Sequence, residues 1–215
     1  GGGNQFGTKN ITEALEGSLK RLKTDYIDLY QLHWPERKTN FFGKLGYEHN
    51  NSNEWTQFED ILTDLKKFIE QGKIRHIGLS NETSWGMMKI LQLCEQYGLP
   101  KPVSTQNAYS LLNRLYEYGC SEVSQFEGIG LMAYSPLAFG ALTGKYLNSA
   151  KPKGGRLTDY PIFGRYLNPQ AQLAVGAIEE VAKKNGLSTA ELSLAFVMSR
   201  PFVNTTIIGA TKMSQ

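Results

Sequence analysis

Cysteine is nearly absent: the 215 residues hold only Cys94 and Cys120, and these do not stand at CxxC spacing. That fits reduced thiols better than a disulfide framework, and both are expected to be small side chains, buried or half-buried. No metal site is expected. Long apolar runs are missing too. None approaches the ~20 residues that span a bilayer, and the opening Gly-Gly-Gly-Asn-Gln-Phe-Gly has neither the basic nor the apolar region of a signal peptide. A cytoplasmic location is therefore expected. The net charge of +3 is spread over helix faces such as Lys20-Arg21 and Lys66-Lys67, without the basic stripe that nucleic acid demands. Neither nucleic acid nor membrane is an expected partner. The chain has no low-complexity tract, and its length and ordinary apolar content suit one domain.

What is present is a rhythm. Tyr26-Ile27-Asp28-Leu29-Tyr30-Gln31-Leu32 is β-prone and stops at His33-Trp34-Pro35, where proline cannot extend a ladder. Before it, Asn10-Ile11-Thr12-Glu13 reads as a capping-box-like start for a helix carrying Ile11, Leu15, Leu19 and Leu22. After it comes a polar loop from Glu36 to about Asn53, in which Phe41, Phe42 and Tyr47 suggest an apolar lid or packing on a rim. Apolar residues from Phe58 to Ile69 then mark a helix closed by Gly72. Strands follow at Ile74 to Leu79, Val103 to Thr105, Ile129 to Ala133 and Thr205 to Ile208, with helices between them. One helix spans about Thr83 to Tyr97 and another ends near Gly128. Two more open at Asn168-Pro169 and at the capping box Ser188-Thr189-Ala190-Glu191. A second long loop covers Leu137 to about Leu167. Five short strands alternating with helices imply βα units and a parallel sheet, whose strand-end loops gather on one face.

Polar residues stand at four of these strand ends: His33, Ser80-Asn81, Gln106-Asn107 and Tyr134-Ser135. Parallel strands are buried on both faces, so such groups need partners. Each alone reads as a turn or cap. Together they suit a flat ring bearing a carboxamide, with Ser, Asn and Gln as donors and acceptors and Tyr134 as a stacking face, and nicotinamide has that chemistry. Gly209-Ala210-Thr211-Lys212, just past a strand, offers glycine and backbone N–H groups to a phosphate, and Lys145 and Arg156 are candidate cations for one. Gly140-Ala141-Leu142-Thr143-Gly144-Lys145-Tyr146 is one residue short of a P-loop and has tyrosine where the magnesium-binding hydroxyl belongs, which excludes an NTPase.

These residues resemble the aldo-keto reductase family, in its bacterial Tas-like and potassium-channel β-subunit-like branch. The motifs run in family order: Ser18-Leu19-Lys20-Arg21-Leu22 with Asp25-Tyr26-Ile27-Asp28-Leu29-Tyr30, Leu32-His33-Trp34-Pro35, and Gly72-Lys73-Ile74-Arg75 with Ile77-Gly78-Leu79-Ser80-Asn81. They continue with Gln106-Asn107, Tyr109-Ser110-Leu111-Leu112-Asn113-Arg114, Tyr134-Ser135-Pro136-Leu137 with Gly140, Gly144-Lys145-Tyr146 and Ile208-Gly209-Ala210. The resemblance implies an α/β fold, a (β/α)₈ TIM barrel of which this chain carries about strands 4 to 8. It implies NADP(H) as cofactor, a small-molecule aldehyde or ketone as substrate, and hydride transfer as the reaction.

By position in the motifs, the resemblance makes His33 the active-site histidine. Ser80, Asn81 and Gln106 become the carboxamide contacts, and Tyr134 the ring stacked on nicotinamide. Ser135, Pro136, Leu137, Ala138 and Phe139 with Lys145 correspond to the pyrophosphate loop, and Arg156 to a further phosphate partner. Gly209, Thr211 and Gln215 correspond to the adenosine-phosphate end. The family's tyrosine acid, aspartate and lysine belong to strands upstream of the histidine strand. The expectation is thus of a chain cut at both ends, weak or inactive alone because its general acid, commonly worth ~10²–10⁴-fold, lies elsewhere. A non-catalytic, NADPH-binding redox sensor of the same fold is the alternative.

Overall fold

The structure is a computed structural model that describes residues 5–51 and 54–210. It divides into two compact units, one of residues 1–106 and 122–130, the other of residues 107–121 and 131–215.

The first unit opens with α1 (Thr8–Leu22), whose helical spacing buries Ile11, Leu15 and Leu19. The helix starts earlier than its sequence suggests. Gly7 is the N-cap and makes no side-chain cap bond, while Asn10 lies inside the first turn with its amide donating to the Gln5 carbonyl. A left-handed Lys23 ends it. β1 (Ile27–Leu32) then pairs in parallel with β2 (Ile74–Ser80), from Ile27 opposite Ile74 to Leu32 opposite Leu79. Between them runs α2 (Phe58–Glu70), with Leu62 and Leu65 essentially inaccessible. Each such leucine contributes ~1.5–3 kcal/mol through burial. The positive φ of Gly72 turns the chain from α2 into β2. α3 (Ser84–Tyr97) is capped by the Thr83 hydroxyl, which accepts from the Gly86 N–H, and closes on the left-handed Gly98.

β3 (Ser104–Ala108) continues the ladder from β2, with Gly78 opposite Ser104 and Ser80 opposite Gln106. It runs three residues further than expected; the register with β2 carries the backbone through the polar Gln106. α4 (Cys120–Glu127) follows. Both cysteines are buried and unbridged, and the Cys94 thiol donates to the Pro100 carbonyl.

In the second unit β4 (Gly130–Tyr134) pairs in parallel with β5 (Val203–Ile207), Leu131 opposite Val203 and Tyr134 opposite Ile207. The stretch expected to be a long loop is instead folded. It holds 3₁₀ turns at Ala138–Thr143, Leu147–Ser149 and Pro161–Tyr166 and the short helix α5 (Arg156–Asp159). Ala138, Leu142, Tyr146, Leu157 and Tyr166 from this stretch form a core of their own with Val175. α6 (Pro169–Lys184) begins at Asn168, whose side chain accepts from the Ala171 N–H. α7 (Thr189–Met198) begins at a complete capping box between Ser188 and Glu191. Among the described residues no helix is long and apolar enough to cross a membrane.

Candidate functional site

The ladder registers of the first unit place the expected residues at one level. With Leu32 opposite Leu79, His33 stands one step past the end of β1, level with Ser80, and Ser80 is opposite Gln106. Side chains alternate along a strand, so these three share a face, with Gln31, Gly78 and Ser104 forming the row beneath. A Cβ on Gly78 would lie 3.0 Å from Ser104 Oγ and 3.1 Å from Gln31 Cγ, so glycine here lets the neighbouring side chains close over the strand.

Direct hydrogen bonds tie the set together. The Ser80 hydroxyl and the Asn81 backbone N–H both donate to the Gln106 carbonyl, at 2.8 and 2.9 Å. The Asn81 amide donates to the His33 carbonyl at 2.8 Å and to Ser80 Oγ at 3.0 Å. Ser80 and Asn81 are buried, Gln106 is half-buried and the His33 ring is exposed. Asn81 holds φ 55°, a left-handed conformation that asparagine tolerates better than most residues and that a fixed surrounding must maintain. Phe42, from the loop after β1, meets the Trp34 ring edge-on at 5.9 Å and lies 6.5 Å from His33, so an aromatic wall stands beside the histidine. That loop was expected to run to about Asn53, which lies outside the described residues.

In the second unit Tyr134 is the last residue of β4, half-buried, with burial pushing its hydroxyl up to about 12. Its carbonyl accepts the N–H of Tyr109 at 3.2 Å. Tyr109 is itself wholly buried and donates its hydroxyl to Glu117, which also binds Arg114. Burial and the Glu117 bond both hold the Tyr109 phenol well above its ordinary range. The Tyr109 to Arg114 motif therefore anchors the end of the strand that bears Tyr134.

After Tyr134 the backbone enters the left-handed region at Ser135 (φ 54°), Ala138 (φ 48°), Phe139 (φ 57°) and Gly140 (φ 95°). Three non-glycine residues in that region within five positions are costly, and such strain concentrates at ligand clamps. Pro136 and Leu137 complete the turn, and the buried Ala138 fastens it to the local core. Two exposed cations border the turn: a Cβ on Gly140 would be 3.2 Å from Lys145 Nζ, and the Arg156 guanidinium lies 5.0 Å from the Phe139 ring centre. The arrangement suits an anion. Gly209 is exposed two residues beyond β5. Thr211, Lys212 and Gln215 lie outside the described residues. Sequence reasoning missed the cation Arg165, 5.7 Å from the Phe139 ring centre, and the largely buried charges Arg37 and Glu82. The last two carry no local signal, since their pairing joins residues 45 apart in the chain.

Parallel βα units with hydrogen-bonded polar residues at strand ends define a class of α/β proteins that bind ligands there. The comparison with known families makes the class specific: the model of the aldo/keto reductase family matches residues 3–215, and the chain belongs to that family of oxidoreductases. It is 54% identical to Protein tas of Escherichia coli K12 over 96% of this chain and 60% of that protein. It is 41% identical to an aldo-keto reductase of Babesia bovis, covering 96% of this chain and 77% of that protein. A putative voltage-gated potassium channel subunit beta of Schizosaccharomyces pombe is 30% identical over 96% of this chain and 57% of its own length. The chain thus spans about 60% of the length of the tas protein it matches.

Proposed function

We propose that the protein is an NADP(H)-dependent reductase of aldehydes or ketones, for which this chain supplies the active-site histidine and most of the cofactor contacts. The observation that carries the reading is the set His33, Ser80 and Gln106, level in the ladders and joined with Asn81 by hydrogen bonds, in a chain of the aldo/keto reductase family.

The residues fit a nicotinamide cofactor by their donor chemistry. A carboxamide needs acceptors for its NH₂ and a donor for its oxygen; asparagine and glutamine side chains supply both, and serine the hydroxyl. In this reading Ser80, Asn81 and Gln106 hold the carboxamide, and the neutral Tyr134 ring packs on the heterocycle. The Ser135 to Phe139 turn, with Lys145 and Arg156, neutralises the pyrophosphate, and Gly209, Thr211 and Gln215 serve the adenosine-phosphate end. The bound cofactor supplies the hydride. His33 donates a hydrogen bond to the carbonyl oxygen, which fixes the face presented to that hydride and stabilises the charge that develops on oxygen. The Trp34 and Phe42 rings give the histidine an apolar wall on one side.

Titration of the full-length protein with NADPH, followed by nicotinamide fluorescence, tests the assignment. Gln106→Ala and Tyr134→Ala should each weaken binding about tenfold, the equivalent of a hydrogen bond or a ring contact. Unchanged affinity in both would refute it. The similarity to a protein named as a channel subunit favours one second reading, a sensor that binds NADPH without turning over carbonyls. Tight binding with no oxidation by any aldehyde would select it.

A further inference from the structure

Behind Asn81 lies a pair of buried charges that no proposed cofactor contact uses. Arg37 Nη1 donates to Glu82 Oε2 at 2.9 Å and Nη2 to Oε1 at 2.5 Å, and the two side chains are 10% and 6% exposed. The guanidinium also donates to Thr83 Oγ1 at 3.0 Å and lies over the rings of Phe58 and Trp85, at 5.2 and 4.9 Å. Glu82 accepts the Thr83 backbone N–H at 2.6 Å. The pair is therefore held by the first residue of α2 and by the cap and first turn of α3.

Such a pair is poorly explained by stability alone. Taking both ions out of water offsets most of their attraction, and apolar residues of the same volume commonly serve a core as well. Its position suggests another role. Arg37 lies four residues after His33, and Glu82 directly follows the left-handed Asn81. The ion pair and the Asn81 to His33 hydrogen bond are thus two parallel links between the same two strand ends.

We infer that Arg37 and Glu82 are positioning residues: by locking the segment after β1 to the segment after β2, they hold Asn81 and the His33 backbone where the carboxamide and the carbonyl substrate require them. The inference rests on the reading of the site given above. Arginine is specified here, since lysine offers neither the bidentate fork nor a planar face for the two rings.

The test uses the full-length protein with Arg37→Lys and the double variant Arg37→Met/Glu82→Leu, which restores an apolar core without the link. Three quantities are measured: the urea unfolding midpoint, NADPH affinity, and exchange of the Asn81 amide hydrogen in cofactor-free protein. The double variant should unfold near the wild-type midpoint, yet bind NADPH about tenfold more weakly and exchange the Asn81 amide about tenfold faster, with the Leu62 and Leu65 amides unchanged. Arg37→Lys should show the same losses in milder form, and it decides the matter if the double variant does not fold. Wild-type exchange at Asn81 together with wild-type affinity, in whichever variants fold, would overturn the inference. A wild-type protein that binds no NADPH would instead overturn the proposed function; Asn81 exchange would then still decide whether the pair holds the strand ends.

Discussion

Replacing Gly86 by alanine sets two effects of opposite sign against each other. Gly86 lies in the first turn of α3 at an ordinary helical φ, so alanine there should gain up to ~1 kcal/mol of helix propensity. The added Cβ, however, would fall 2.2 Å from Glu82 Oε1, 2.4 Å from its Cδ and 2.5 Å from Arg37 Nη2. None of these atoms is backbone, so the main chain can stay and the ion pair must open. Opening a buried pair leaves charge uncompensated at ~3–5 kcal/mol, which outweighs the propensity gain and predicts a net loss of ~2–4 kcal/mol. With a urea dependence of ~1–3 kcal/mol/M, the midpoint should fall by about 0.7–4 M, a large share of a marginal stability. Equilibrium urea unfolding followed by circular dichroism measures this directly. A Gly86→Ala protein as stable as wild type, or more so, would show that the Glu82 carboxylate moves aside freely, and would refute the claim that the pair is locked.

Gly78→Val should overpack the row beneath the site, since its first added carbon already meets Ser104 Oγ at 3.0 Å, Gln31 Cγ at 3.1 Å and Leu29 Cδ1 at 3.2 Å; a loss of ~1–3 kcal/mol in thermal unfolding is expected. Ser188→Ala should cost ~1 kcal/mol by removing the cap of α7. Bonds from the Ser188 hydroxyl and backbone N–H hold the Glu191 carboxyl below its ordinary value, so its contribution is present above that value and lost as pH falls through the lowered one; Ser188→Ala should flatten this acid limb of the stability profile. Tyr134 works in the opposite sense. Burial, helped by Tyr166 and opposed by Arg165, raises its hydroxyl to about 12, so its contribution is complete below the ordinary value of 10.0 and lost as pH climbs towards 12. Tyr134→Phe should remove that alkaline loss, which phenolate absorbance and melting temperature together would reveal.

Much of the fold was legible because its signals are local. Asn168-Pro169 and Ser188 with Glu191 each carry their capping chemistry within a few residues, and the structure uses them as expected. Asn10 misled for the same reason: its capping pattern is real, but Gly7 lets the helix begin one turn earlier. The stretch after Leu137 hid its structure because its core residues, among them Ala138, Tyr146, Leu157 and Tyr166, follow neither helical nor strand period. At the site, the strand-end residues could be read from type and position, and the ladders bring His33, Ser80, Asn81 and Gln106 together. The Arg37 to Glu82 pair could not be read. It joins residues 45 apart, and neither is unusual in its own neighbourhood. Likewise Phe42 reads as one of three loop aromatics, and its left-handed backbone (φ 55°) and its contact with Trp34 appear only in the structure.

Single-turnover kinetics can show whether His33 stands in a carbonyl-reducing nicotinamide site. Full-length protein loaded with NADPH is mixed with a panel of aldehydes and ketones, and cofactor oxidation is followed by absorbance. At least one carbonyl should oxidise the cofactor, about a hundredfold more slowly in His33→Ala while NADPH affinity is kept. Bound NADPH that no carbonyl oxidises, or turnover that His33→Ala leaves unchanged, would contradict that placement of His33.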